Sequence, residues 1–280
     1  MKTYNISKNE NFEIQNSYLE FCNISDEIKI NILKETEFEN YIMSCINEEL
    51  SVDWLYKFYN YSTDRNNKLI LLSIAKDEYK HFLSYLELIK EFFPEKNFDN
   101  EYRNYKNIIV KYNNNFLISL NEETLDICIF RHFMNESIFT ADLKYQYQNS
   151  QNLKIKIILK EIFVDESKHV ALSKKINLSL DTENIEKFKK NLILEMKYIL
   201  SKGMQHLDVK RYSEKLNLYG FDINNFIDQI KKSRKSKILT LGIIENLYKF
   251  GNKFKCTNNL EFENFLKENN LFSKYEALKN

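Results

Sequence analysis

Apolar residues recur along most of this chain at helical spacing, and short polar breaks divide them into segments. Ile42, Ile46, Leu50, Trp54, Leu55 and Phe58 fall on one face of a helix predicted over about 36–61. Ser62 to Asn67 reads as a turn. A second helix follows over about 68–92 and stops before Pro94, the only proline of the chain. Tyr102, Tyr105, Ile108, Ile109 and Tyr112 predict a helical piece inside a crossover from about 97 to 120, broken at Asn113-Asn114-Asn115. A third helix over about 122–148 and a fourth over about 153–178 form a second pair. Asp181 or Thr182 caps a fifth, which has Glu183 and Glu186 near its start and continues through a kink near Gly203 to Leu218. Further helices are expected at about 222–234, 237–254 and 259–277. Residues 1–35 alternate only weakly, at Tyr4 to Ile6 and Phe12 to Ile14, and read as an arm with one short helix near Glu27 to Leu33. No linker marks a second domain. The expected organisation is an arm (1–35), a four-helix unit (36–178) and C-terminal helices (179–280) packed on it as a single all-α domain.

The two helix pairs carry the same polar pattern, Glu-x28-Asp-Glu-x-x-His. The first copy is Glu48, Asp77, Glu78 and His81; the second is Glu136, Asp165, Glu166 and His169, each 88 residues after its counterpart. The flanks repeat too: Leu50 with Ile138, Tyr59 with Tyr147, Ser62 with Ser150, Lys68 with Lys156, Leu71 with Leu159. This is the signature of a duplicated helical hairpin. Positions i and i+3 share a helix face, so Glu78 and His81 reach one centre, as do Glu166 and His169. Four carboxylates and two imidazoles are the ligand set of a carboxylate-bridged two-metal site in a four-helix bundle. An interior holding four carboxylates needs cations, because buried charges without partners are costly. Oxygen and nitrogen ligands without a thiolate suit iron or manganese better than a structural zinc site. Two iron ions are therefore the expected cofactor, with manganese or a mixed pair as the alternative. Glu78 and Glu166 are expected to bridge, with Glu48 and Glu136 terminal and one histidine on each metal.

Several neighbours are candidates for supporting roles. Asp77 and Asp165 precede the motif glutamates and point about 100° away from them. Each is placed to accept the free ring N–H of the other hairpin's histidine, Asp165 from His81 and Asp77 from His169, which would fix the tautomer and raise ligand basicity. Glu49 adjoins Glu48 and is a rival ligand, although its repeat mate is Ser137. His132 lies one turn before Glu136 and is either an extra ligand, a proton relay or a packing histidine. Tyr85 lies one turn after His81, where a tyrosine is either a radical site or part of the wall. His206 has no companion motif.

Composition narrows the classes. Of 280 residues, only four are glycine and one is proline, which favours long helices over a turn-rich β protein. A formal net charge of +1 gives no reason to expect nucleic acid or a membrane surface as partner. Cys22, Cys45, Cys128 and Cys256 are scattered without a Cys-x-x-Cys pair, and are expected to be reduced and mostly buried in a cytoplasmic protein. The first residues lack an apolar signal core, and no apolar run of about 18 residues exists to span a membrane.

The doubled arrangement resembles the ferritin-like di-iron carboxylate superfamily over roughly 36–178, with Glu48, Glu78, His81, Glu136, Glu166 and His169 matching the family's ligands. Within it, the spacing and the doubled Asp-Glu-x-x-His are most similar to the p-aminobenzoate N-oxygenase family. That resemblance implies an all-helical homodimer using O2 at a di-iron centre to oxidise a small organic substrate, by N-oxygenation or hydroxylation. Some members carry an extra histidine four residues before the second motif's glutamate; here Ile162 stands there. No flavin, nicotinamide or iron–sulfur motif is present, so electrons would come from a separate reductase or ferredoxin. Competing readings are an oxidase of the ribonucleotide-reductase small-subunit kind using Tyr85, a rubrerythrin- or manganese-catalase-like peroxide enzyme, a non-catalytic iron-binding protein, and a helical protein without metal.

Overall fold

Ser25 begins the first long helix. Its hydroxyl accepts from Ile28 N at 3.3 Å, and Asp26 and Glu27 place negative charge in the first turn. With neither glycine nor proline to interrupt it, α1 then runs unbroken over Asp26–Tyr61. The short helix expected near Glu27 to Leu33 and the long one from Thr36 are thus one element, and buried Ile32 and Leu33 extend its apolar stripe. The computed structural model describes residues 3–7, 10–15, 25–107, 124–150, 152–202, 217–218 and 234–271.

The arm contains a two-stranded ribbon. β1 (Thr3–Ser7) pairs antiparallel with β2 (Glu10–Gln15), Thr3 opposite Gln15 and Ser7 opposite Glu10. The weak alternation at Tyr4 to Ile6 and Phe12 to Ile14 is the period-two signal of these strands. Apart from this ribbon and the connections, the described residues are helical.

Helix α2 (Arg65–Phe92) starts three residues earlier than expected, because Asp64 Oδ1 accepts from Asn67 N at 2.8 Å. A helical piece, α3, occupies 98–107 of the crossover; the Asn113 break lies outside the described residues. Helix α4 (Leu125–Asn149) precedes α5 (Leu153–Leu172), whose cap Asn152 accepts from Lys154 N and Ile155 N. Helix α5 ends six residues before the expected limit. Ser173 Oγ donates to Val170 O at 2.7 Å, one 3₁₀ turn follows over Ser173–Lys175, and the chain then extends. Asn67 secures that extension, accepting from Asn177 N at 2.8 Å and donating to Asn177 O at 3.2 Å.

Helices α6 (Thr182–Lys202), α7 (Arg234–Lys253) and α8 (Asn259–Glu268) form the C-terminal part. Asp181 caps α6 as expected, accepting from Asn184 N at 2.8 Å, and Asn258 and Glu261 form a capping box on α8. The expected kink near Gly203 and the helix at 222–234 lie outside the described residues. Helix α8 ends at Glu268, well short of 277.

The four motif helices close into a ring: α1 packs on α2, α2 on α5, α5 on α4, and α4 on α1. The Asn67–Asn177 contacts, together with Lys154 Nζ at 2.7 Å from Glu87, show that α2 and α5 run antiparallel. Helices α6 and α7 pack on the outer side of α4. Two apolar clusters fill the interior. One joins Leu55, Phe58, Leu71 and Ile74 to Phe130, Phe133, Phe188 and Phe250. The other joins Leu33, Ile42 and Ile46 to Leu88, Ile89, Leu159 and Ile162. The motif residues occupy the layer between them. No helix among the described residues is long and apolar enough to cross a membrane. Cys45, Cys128 and Cys256 are buried and form no disulfide among the described residues, while Cys22 lies outside them.

Candidate metal centre

Glu48 of α1, Glu78 and His81 of α2 and Glu136 of α4 are placed by the middles of long helices, and Glu166 and His169 by the C-terminal half of α5, His169 in its last turn. Among the described residues, their donor atoms form two groups in which all atoms lie within 4.8 Å of one another. Glu48, Glu78, His81 and Glu166 make one; Glu78, Glu136, Glu166 and His169 make the other. Glu78 and Glu166 belong to both.

Both histidines present Nδ1 to the centre. His81 Nδ1 lies 3.3 Å from Glu166 Oε1 and 3.6 Å from Glu48 Oε2. His169 Nδ1 lies 3.1 Å from Glu78 Oε1 and 3.7 Å from Glu166 Oε2. Yet neither Nδ1, nor Glu78 Oε1, nor either oxygen of Glu136 makes a hydrogen bond, although all are buried. Each buried polar group left this way costs about 1–3 kcal/mol. Atoms that are close but aimed past one another are what a shared cation would satisfy. The buried Glu/His groups could therefore hold a metal ion.

Electrostatics point the same way. Burial pushes the Glu48 carboxyl up to about 8, and burial with the nearby Glu166 and Glu48 charges drives Glu78 well above the carboxylate range. Burial opposes ionisation of Glu166 as well, but the two imidazoles outweigh it and hold this carboxyl low. Burial likewise disfavours the His169 imidazolium, and the contacts with Glu166 and Glu78 overcome that and raise its pKa. A cation would relieve the carboxylate repulsion directly.

The outer nitrogens of the imidazoles face the paired aspartates unequally. His169 Nε2 is hydrogen-bonded to Asp77 Oδ2 at 3.3 Å. His81 Nε2 lies 3.5 Å from Asp165 Oδ2 and makes no hydrogen bond, which departs from the expected symmetry. Asp165 is engaged by ammonium groups instead, accepting from Lys168 at 2.8 Å and Lys80 at 3.2 Å. Burial would raise its pKa, but these two lysines hold it at about 2. The lysines are themselves repeat mates, each directly before a motif histidine, so the 88-residue repeat carried a signal for them.

The remaining candidates separate. Glu49 is not in either group: it turns outward and accepts from Tyr102 and Lys106 of the crossover. His132 is buried against Phe58 and Phe133, with Nε2 2.8 Å from Glu136 Oε1, but it belongs to neither group. Tyr85 is buried beside Tyr41, ring centroids 6.2 Å apart, and burial with the Glu48 charge raises its pKa well above the ordinary value. Tyr79 is exposed. His206 lies outside the described residues. No protein-family model, curated protein or solved structure matches the chain.

Proposed function

We propose that this protein is a ferritin-like di-iron oxygenase or oxidase acting on a small organic substrate with O2. The observation that carries the reading is the pair of overlapping four-residue groups sharing Glu78 and Glu166. Two metal ions that shared Glu78 and Glu166, one of them also held by Glu48 and His81 and the other by Glu136 and His169, would account for every member of both groups. The ring of four helices with a long connection between two hairpins supports the same fold.

In this reading Glu48 and His81 complete one metal's protein ligands, and Glu136 and His169 the other's. The oxygen and nitrogen set fits iron, with manganese or a mixed pair as the alternative. Iron bound there would supply redox and Lewis-acid chemistry toward O2. The chain's own residues supply the setting. Asp77 accepts the Nε2 proton of His169 and so keeps Nδ1 free as a ligand. The apolar clusters on either side keep the polar layer dry. Electrons come from a separate reductase or ferredoxin, and buried cysteines that form no disulfide among the described residues fit a reducing cytoplasm.

Elemental analysis tests this on protein from iron- and manganese-supplemented cells, beside the double variant His81→Ala/His169→Ala. About two transition-metal ions per chain, lost in the variant, is the expected result. Protein free of metal from both cultures would sink the reading. Two manganese ions from either culture would move it toward peroxide chemistry.

A further inference from the structure

A groove of about 360 Å³ lies between α6 and α8, with Tyr248 of α7 at its base. No lining residue belongs to α1, α2, α4 or α5, so the groove is separate from the candidate metal centre. Ring contacts set the directions of its walls. Phe188, near the start of α6, packs on Phe254, just past the end of α7, with centroids 6.3 Å apart, so these two helices run antiparallel. Tyr248 stacks on Phe262 at 4.2 Å, so α8 turns back along α7 and runs beside α6 in the same direction. The floor is apolar: Met196, Tyr248 and Phe262 are buried there, and Ile193 and Phe265 are half-buried. Charge is confined to the two ends. At the end nearer the helix starts, Lys189 Nζ lies 2.7 Å from Glu261 Oε1, and the two neutralise each other. Lys197 stands about 12 Å further along α6, and Glu268 about 10 Å further along α8. Both are exposed, and neither forms an ion pair among the described residues.

We propose that this groove binds a free α-amino acid with a large apolar side chain, the side chain on the aromatic floor, the carboxylate at Lys197 and the ammonium at Glu268. The site does not rest on the di-metal reading. Size sets the first limit: an engineered cavity of ~150 Å³ takes benzene, so about 360 Å³ has room for a ring or branched alkyl group together with a charged head. The floor sets the second. Three aromatic rings, an isoleucine and a methionine favour a ligand that buries apolar area on them. Charge sets the third. A lone carboxylate near Lys197 would also face Glu268, and a lone amine near Glu268 would also face Lys197. A zwitterion whose two charges sit on one carbon answers both walls at once, and the bridge between Lys189 and Glu261 leaves no further charge in the lining to match.

Equilibrium dialysis of radiolabelled L-phenylalanine against the protein as purified, at low salt, tests this. Uptake should saturate, and unlabelled L-leucine should displace the label. N-acetyl-L-phenylalanine lacks the ammonium and phenethylamine lacks the carboxylate, so each should compete about fivefold more weakly, the upper end for an exposed ion pair. Glycine has no side chain to bury and should not compete. Lys197→Gln and Glu268→Gln change exposed side chains that hold no ion pair among the described residues, so both variants should keep the native helix content by circular dichroism. Each should weaken L-phenylalanine by about the same fivefold factor. Lys197→Gln should bind phenethylamine no less well than the native protein does. Absence of saturable uptake would overturn the site. Saturable uptake that both variants retain in full would place the amino acid elsewhere, on the metal included, and would overturn the site as well. Equal competition by the two singly charged analogues would overturn the ligand class.

Discussion

At the residue scale the two halves of the centre are related by sequence but not by environment. Asp77 hydrogen-bonds His169, while its mate Asp165 is held by Lys80 and Lys168 and stands 3.5 Å from His81. Only the first aspartate fixes a tautomer, so the two substitutions should differ. Asp77→Asn should weaken metal binding by about 10–100-fold, as loss of a carboxylate behind a ligating imidazole does. Asp165→Asn should weaken it less. Chelator competition on both variants measures this, and an equal or larger loss in Asp165→Asn would show that the imidazole of His81 leans on Asp165 after all. That these six side chains converge was legible because i, i+3 spacing is a local property of a helix, and duplication gave the pattern a second witness. The fate of Glu49 was not legible. Its capture by Tyr102 and Lys106 depends on where the crossover folds back, and no local spacing encodes that.

At the element scale, helix middles were readable from their apolar stripes, while helix ends were set by single side chains. Ser25 and Asp64 moved two helix starts toward the N-terminus by offering a cap. Helix α5 stopped early because Ser173 and Lys253 both donate to Val170 O, the latter at 3.0 Å, and Asn67 clamps the extension beyond it. The ammonium of Lys253 comes from α7, which packs on α4. Burial, and then the nearby Lys174 charge, lowers its pKa from an ordinary 10.5 to about 8. Between those values the unfolded chain holds more protons than the folded one, so this residue adds to stability as pH rises from about 8 to 10.5. At pH 7 the lysine is charged in both states, and the full unfavourable effect of burying it is present. The melting temperature of Lys253→Met minus that of the native protein should therefore fall as pH is raised from 7 to 10. A difference that stays flat across this range would mean that Lys253 is hydrated like a surface lysine.

On the scale of the whole molecule, the centre is a polar layer between two apolar clusters, and every helix of the ring contributes to it. Within each hairpin, short turns and repeated apolar stripes hold the helices together. Between the hairpins, the layer brings Glu48 and Glu78 of one against Glu136 and Glu166 of the other, so without a cation the carboxylates repel across the seam or must keep protons. A metal that binds only the folded protein stabilises it by about 2.7 kcal/mol at a hundredfold excess over its dissociation constant. That gain should be local. Removing metal with a chelator should speed amide exchange in the central turns of α1, α2 and α4 and the C-terminal turns of α5, where the clustered Glu and His side chains sit. Helix α8 carries its own capping box and contributes no ligand, so its exchange should not change. Hydrogen-exchange mass spectrometry on loaded and stripped protein reads this directly. Faster exchange everywhere, α8 included, would mean that metal governs global folding rather than the seam, and no change in any helix would mean that the carboxylate layer is held by its protons alone.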